Sequence, residues 1–319
     1  MKGLNSTLLV CALLSLASGP AGADGGYATR DLNPILQPIY LPTLATFKQG
    51  NGWKIDHSFY VTNTMQKESK GNERLSIDVE NYRYELGLRY RHDNWLARLD
   101  LPFVANSGGE LDGTIDSWHK FWGLPEGDRN DFPNDRVNVE YQRNGKLEYR
   151  QNHSSSGIGD IALAIGYQLS EQWAWFAGIE LPSGDSGDFS GNEEIDSALW
   201  LTYQGEADAE LGFFGMFGVS FPGSGDYLGG YVEDTIWVAQ AGFDYRLYPT
   251  VIANLQLDMH SQSVEGSELD AFGNSMQVVA GLGFPRLVGE HRLDLFISED
   301  ILVGTAPDIT FGLRLSRSY

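Results

Sequence analysis

Along residues 53–319, apolar and polar positions alternate with a period of two, in runs separated by clusters of Gly, Asp, Ser and Asn. Successive side chains of a strand point to opposite faces, so each run predicts a strand with one apolar and one polar face. Twelve such runs can be drawn. They are Trp53–Met65, Leu75–Arg91, Trp95–Val104, Gly157–Leu169, Gln172–Pro182, Glu194–Gln204, Ala207–Phe221, Asp234–Leu247, Thr250–Ser261, Asn274–Pro285, Glu290–Ser298 and Asp308–Tyr319. Tyr82, Tyr84, Leu86, Leu88 and Tyr90 share one face of the second run; Leu211, Phe213, Phe217, Val219 and Phe221 share one face of the seventh. In the last run Phe311, Leu313, Leu315 and Tyr319 oppose Thr310, Gly312, Arg314 and Ser316. Each run is long enough to cross a bilayer as a tilted strand, which takes about 9–11 residues.

The connections alternate as well. Residues 92–94, 170–171, 205–206, 248–249 and 286–289 form tight turns, whereas 66–74, 105–156, 183–193, 222–233, 262–273 and 299–307 are longer and rich in Gly, Asp and Ser. Short periplasmic turns and long external loops are the connectivity of an outer-membrane barrel. The pattern therefore predicts an all-β fold: a transmembrane antiparallel up-and-down β-barrel of about 12 strands. Trp53, Trp95, Trp173 and Trp175 stand beside the tight turns, where an aromatic girdle would meet the interface. A secreted soluble β-sandwich is the competing architecture, but it does not account for the alternation of short and long connections.

The chain ends support the membrane reading. Lys2, the apolar stretch Leu8–Ala17 and Ala21-Gly-Ala23 have the layout of a secretory signal peptide cleaved before Asp24. The expected organisation is thus a signal peptide over 1–23, a periplasmic or lumen segment over 24–52 carrying Pro34, Pro38 and Pro42, and a barrel over 53–319. No run of about 18 apolar residues is present for a membrane helix. The single cysteine, Cys11, falls inside the leader, which leaves no thiol or Cys-ligated metal to the mature chain. Removing residues 1–23 leaves 43 acidic residues against 21 basic ones. That balance excludes nucleic acid as a partner, and nothing in the sequence calls for a cofactor or a metal.

An inward set can be written from the polar faces. It contains Arg83, Glu85, Arg89, Arg98, Asp100, Asp160, Gln240, Asp244, Arg246, Asn254, Gln256, Asp258, His260, Arg292, Asp294 and Arg314. If these charges pair, they close the lumen; if they separate by sign, they orient a polar solute. Gly166, Gly178, Gly218, Gly242, Gly281 and Gly283 fall on the same face, leaving room or accommodating curvature. In the long connection 105–156, Ile115, Trp118, His119 and Trp122 are spaced as on a helix that Pro125 ends, and Arg143-Asn144-Gly145 marks the turn of a hairpin. Asp116, Trp118, His119, Trp122 and Arg129 are the candidate gate residues, placed either in the barrel mouth or in a lid at its rim.

Two motifs invite chemistry. His153 and Ser155 share a strand face, as in outer-membrane phospholipases with a Ser nucleophile and His base. Such a site should face lipid and carry an orienting Asn or acid for the His, Ser156-Gly157 stands where Asn-Gly usually follows the Ser, and a Ser-rich loop produces such a pair by chance. Residues 184–194 contain enough acidic oxygens for calcium without matching an EF-hand loop, which fits a solvated acidic loop better.

Arg30-Asp-Leu-Asn33-Pro34, Asp112–His119 followed by Gly123–Arg129, Ser156-Gly-Ile-Gly-Asp160, Leu181-Pro-Ser-Gly-Asp185, and Ser298–Asp300 through Ala306-Pro307-Asp308 together resemble a proteobacterial family of outer-membrane barrels of unknown function. The Gly-Ile-Gly-Asp and Leu-Pro-Ser-Gly-Asp pieces are more loosely similar to barrel transporters of aromatic-compound degradation. The C-terminal run, ending in Tyr319, also resembles the signal read by the barrel-assembly machinery, with Arg317 departing from it. The resemblance implies an outer-membrane location, with outer-membrane lipid and lipopolysaccharide as surroundings. The expected function is passive passage or binding of a small solute of unknown identity, gated by the long external loop. A closed structural or surface-interaction barrel is the alternative, and a lipid hydrolase the third.

Overall fold

The computed structural model describes residues 25–109, 136–206, 210–288, 290–302 and 304–319. Its strands are β1 (Gly52–Lys70), β2 (Glu73–His92), β3 (Trp95–Ser107), β4 (Asn138–Arg143), β5 (Lys146–Gln151), β6 (Ser155–Ile158), β7 (Ile161–Gln168), β8 (Trp173–Leu181), β9 (Asp196–Gln204), β10 (Leu211–Phe221), β11 (Ile236–Tyr248), β12 (Val251–His260), β13 (Ser275–Val288), β14 (His291–Asp300) and β15 (Ile309–Ser318). β6 and β7 lie end to end on β3 and form one track. Each track pairs antiparallel with its sequence neighbours, and β15 pairs back onto β1 from Lys54↔Ser318 to Asn63↔Ile309. The result is a closed 12-strand barrel, whose wall leaves no free sheet edge along the strands.

Burial follows the two-residue period. On β10, Leu211, Phe213, Phe217 and Phe221 are exposed on the outside while Phe214, Met216 and Ser220 are buried within. The outer aromatics form cross-strand pairs next to the tight turns: Trp53 with Tyr90 at 4.8 Å, Trp95 with Tyr167 at 4.9 Å and Trp173 with Tyr203 at 5.0 Å between ring centroids. Such pairs stiffen the rim, and their amphipathic rings suit a membrane interface.

Two connections differ from the sequence expectation. Residues 66–74 are not an open loop, because β1 and β2 continue as a ribbon to Lys70↔Glu73 and turn at Gly71-Asn72. The apolar alternation Leu75, Ile77, Val79 continues past the membrane span and buries its face under other loops. The fourth run is broken at Gly159-Asp160, since the Asp160 carboxylate accepts the N–H groups of Gly184 at 2.7 Å and Asn192 at 2.9 Å, drawing the 182–195 connection onto the wall.

β4 and β5 form the expected hairpin, with Asn144 and Gly145 both at positive φ, as a type I′ turn requires. The hairpin docks on the β2 extension from Arg143↔Glu73 to Asn138↔Asp78. Arg150 bonds Glu140 across it at 2.7 Å and holds that carboxyl below the usual carboxylate range. At this loop end Ile77, Tyr141, Phe189, Tyr227 and Phe272 join one apolar cluster and cap the barrel.

The outward position of Leu313 at the middle of β15 gives a test. Leu313→Arg should destabilise the barrel by about 2–4 kcal/mol, against about 0–1 kcal/mol for Leu211→Arg, outward at the end of β10. Urea titration followed by heat-modifiable gel mobility in lipid vesicles measures both.

Candidate functional site

The lumen is occupied by residues 25–50, of which only Gly50 is exposed. The segment starts near the tight-turn end, where the Gly25 N–H donates to Asp244 at 3.0 Å. Tyr27 pairs its N–H and C=O with the Gln256 amide at 2.9 and 3.1 Å, and the Thr29 hydroxyl reaches Asp258. Asp31 meets His260 at 3.1 Å, close to the loop end. There Asn33 organises a reversal. Its carbonyl accepts the N–H groups of Leu36 and Gln37, and its side chain accepts that of Ile35. The chain then descends. The Tyr40 N–H bonds Asp196 at 2.9 Å, the Leu44 N–H bonds Gln240 at 2.6 Å, and the Phe47 N–H bonds Gln204 at 2.9 Å. Arg91 takes the carbonyl of Gln49 at 2.9 Å before the chain leaves into β1.

Both legs are therefore held by side chains of the wall acting as substitute strand partners. Gln240 shows this most directly, donating to the Thr29 carbonyl at 2.6 Å while accepting from Leu44. At the reversal, Ile35, Leu36 and Ile39 are fully buried in the apolar cap, and Tyr227 bonds the Ile35 carbonyl at 2.7 Å. The inward glycines make the room. A side chain at Gly281 would put Cβ 2.6 Å from the Tyr27 hydroxyl, and one at Gly178 would collide with that of Tyr40. Tyr27 also stacks on Phe296 at 4.6 Å, with the Arg314 guanidinium 5.5 Å from its ring centre.

The inward charges gather on one arc and pair there. Arg89 bonds Asp56 across β1 and β2, Arg98 bonds Asp100 on β3, and Asp294 on β14 receives Arg292 at 2.8 Å and Arg314 at 2.9 Å. Arg83 bonds Glu85 at 3.1 Å. Asp244, Asp258 and His260 instead line the opposite wall and hold the N-terminal segment, while Arg246 is half-buried near the tight-turn end. A small cavity, about 30 Å³ measured as the space open to the centre of a water-sized sphere, remains between this segment and the wall of β2, β3, β7 and β8.

The gate candidates Asp116, Trp118, His119, Trp122 and Arg129 lie outside the described residues. Ser155 Oγ receives the Gln151 amide at 2.6 Å, and no hydrogen bond joins it to the His153 ring among the described residues. Asp185 and Asp188 cap the N–H groups of Gly187 at 2.7 Å and Ser190 at 3.1 Å within their own loop. The lumen was one of two places expected for residues 24–52, but the wall contacts of residues 25–50 are not written in their own sequence. Their sequence has no strand period, and the only local signal was Asp31-Leu-Asn33-Pro34, a turn motif.

The chain belongs to the family described as protein of unknown function (DUF3187), whose model matches residues 6–319. No curated protein sequence matches it. Its structure is similar to that of an outer membrane channel from Pseudomonas putida F1, with a TM-score of 0.57 and 15% identity over 85% of this chain and 97% of that one. It is also similar to the P. putida toluene transporter TodX, with a TM-score of 0.45 and 12% identity over 93% of this chain and 96% of the other. The first likeness gives the fold as that of outer-membrane barrels.

Gln240→Leu removes a donor and an acceptor from the two legs at once, and each buried group left unmet costs about 1–3 kcal/mol. The expected outcome is faster proteolytic cleavage within residues 25–50 while the barrel keeps its heat-modifiable mobility. Mass spectrometry of timed digests measures it.

Proposed function

We propose that this protein is an outer-membrane passage for a small polar solute, gated by its own residues 25–50 together with the external connection 105–156. Residues 1–23 would direct export, the C-terminal strand would engage the assembly machinery, and the capped end would face lipopolysaccharide outside the cell. One observation carries the reading. The segment that fills the lumen enters and leaves at the same end and is held there by side chains, so its withdrawal breaks no strand pairing of the wall. Each polar contact contributes only about 0.5–1.5 kcal/mol net, because water replaces the lost partner. The stronger hold is at the tip, where burying Ile35, Leu36 and Ile39 stabilises the closed state by about 1.5–3 kcal/mol each.

The same tip supports a second reading, a permanently closed structural barrel, in which the cap and the N-terminal segment form an ordinary core. A catalytic role has no such support. Ser155 Oγ is engaged by Gln151 and Asn106, and the fold is similar to that of a channel.

The mature chain would contain no cysteine, so a disulfide can be added cleanly. Thr29→Cys with Asp258→Cys, whose native side chains touch, ties the ascending leg to β12. In planar bilayers the reduced protein should show intermittent openings and the oxidised protein none. Silence in both states supports the closed barrel, and openings unchanged by oxidation contradict gating by this segment. Ile35→Asn, which loosens the tip without touching the wall, should raise the open fraction in the same recordings.

A further inference from the structure

We propose that the cavity beside the N-terminal segment is a binding site for a small solute bearing a primary ammonium group. This names the solute class of the passage and rests on that reading. The cavity is lined by the guanidinium groups of Arg30, Arg83 and Arg98 and by the carboxylates of Glu85, Asp100, Asp160 and Glu180, a formal charge of one negative. Most of these groups satisfy one another. Arg83 is spent on Glu85, Arg98 on Asp100 and the Thr43 hydroxyl, and Asp160 on two backbone N–H groups.

Glu180 is the exception. It is 3% exposed, its nearest cation is Arg30, 3.9 Å from Oε1, and its Oε2 is buried without a hydrogen-bond partner. Oδ1 of Asp100, 7% exposed on the same cavity, also has no partner. A buried carboxylate is stable as an anion only when hydrogen-bond donors and positive charge reach it. What the wall lacks here is a donor-rich cation. Among the described residues no cluster of three acidic or His side chains is placed to hold a metal ion, so the complement is polyatomic, delivering N–H groups one at a time. The size of the cavity limits it to a molecule of a few heavy atoms. An anion would meet guanidinium groups already engaged, Arg83 and Arg98 by carboxylates and Arg30 by the Gln37 carbonyl, and would add to the negative charge.

Calorimetry on the refolded mature protein in detergent micelles tests the site without requiring conduction, with ethanolamine as the probe and acetate and glycerol as the anionic and neutral comparisons. Saturable binding of ethanolamine alone is expected. Glu180→Gln should weaken it by about tenfold or more, the loss of a charged hydrogen bond, and Asp100→Asn should weaken it less. Glu206→Gln, at an exposed turn, should leave it unchanged. Heat-modifiable mobility checks that each variant has folded; if one does not refold, the other variant and the wild-type preference for ethanolamine over acetate decide. Equal heats for ethanolamine and acetate, or ethanolamine binding unaffected by Glu180→Gln, overturn the proposal. Openings without ethanolamine binding leave the passage standing and remove this site; binding without openings does the reverse.

Discussion

A main-chain amide buried away from water must be hydrogen-bonded, and inside a closed barrel the wall has already used its own amides on its neighbours. Residues 25–50 run through such an interior with almost no secondary structure of their own. Their amides are met by the side chains of Asp244, Gln256, Gln240, Asp196 and Gln204, all inward positions of the wall. The position of the segment therefore depends on the strand register, since a one-residue slip would send every one of those side chains to the lipid face.

That dependence explains why the lumen divides in two. The arc from β14 through β15 and β1 to β3 carries the Arg–Asp pairs, which meet most of their own charge. The arc from β9 to β12 presents amides, acids and aromatic groups toward the segment, and Gly178 and Gly281 supply the room that Tyr40 and Tyr27 fill. Where the two arcs meet the segment imperfectly, beside Arg30 and Glu180, the cavity remains. At the loop end the interior becomes that of a soluble protein. Ile77, Tyr141, Tyr227 and Phe272 enclose Ile35, Leu36 and Ile39, converting a pore mouth into an apolar core.

The wall was legible in the sequence because a period-two pattern bounded by turns carries the information locally. The β15 alternation from Phe311 to Ser316, the Trp residues beside the tight turns and the Asn144-Gly145 hairpin are each recoverable from neighbouring residues. The inward charges were legible as a set, but their pairing was not: Arg314 with Asp294, and Arg89 with Asp56, depend on which strands become neighbours and in which register. The path of residues 25–50 was less accessible still. It is fixed by contacts more than 150 residues away in the chain, such as Phe47 with Gln204 and Thr29 with Gln240, and no local propensity encodes it. The break at Asp160 was hidden for a similar reason, since Gly-Ile-Gly-Asp reads as a continuous strand until the Gly184 and Asn192 amides are in place.

Amide hydrogen exchange of the native protein in lipid, read peptide by peptide over residues 25–50, bears most directly on the claim that this segment is a hydrogen-bonded filling of the lumen. Slow exchange at Tyr27, Tyr40, Leu44 and Phe47, comparable with that of the barrel strands and accelerated by Gln240→Leu around Leu44 and around Thr29, is the result predicted. Exchange as fast as in an unstructured peptide across the whole segment, with the strands still protected, would contradict it.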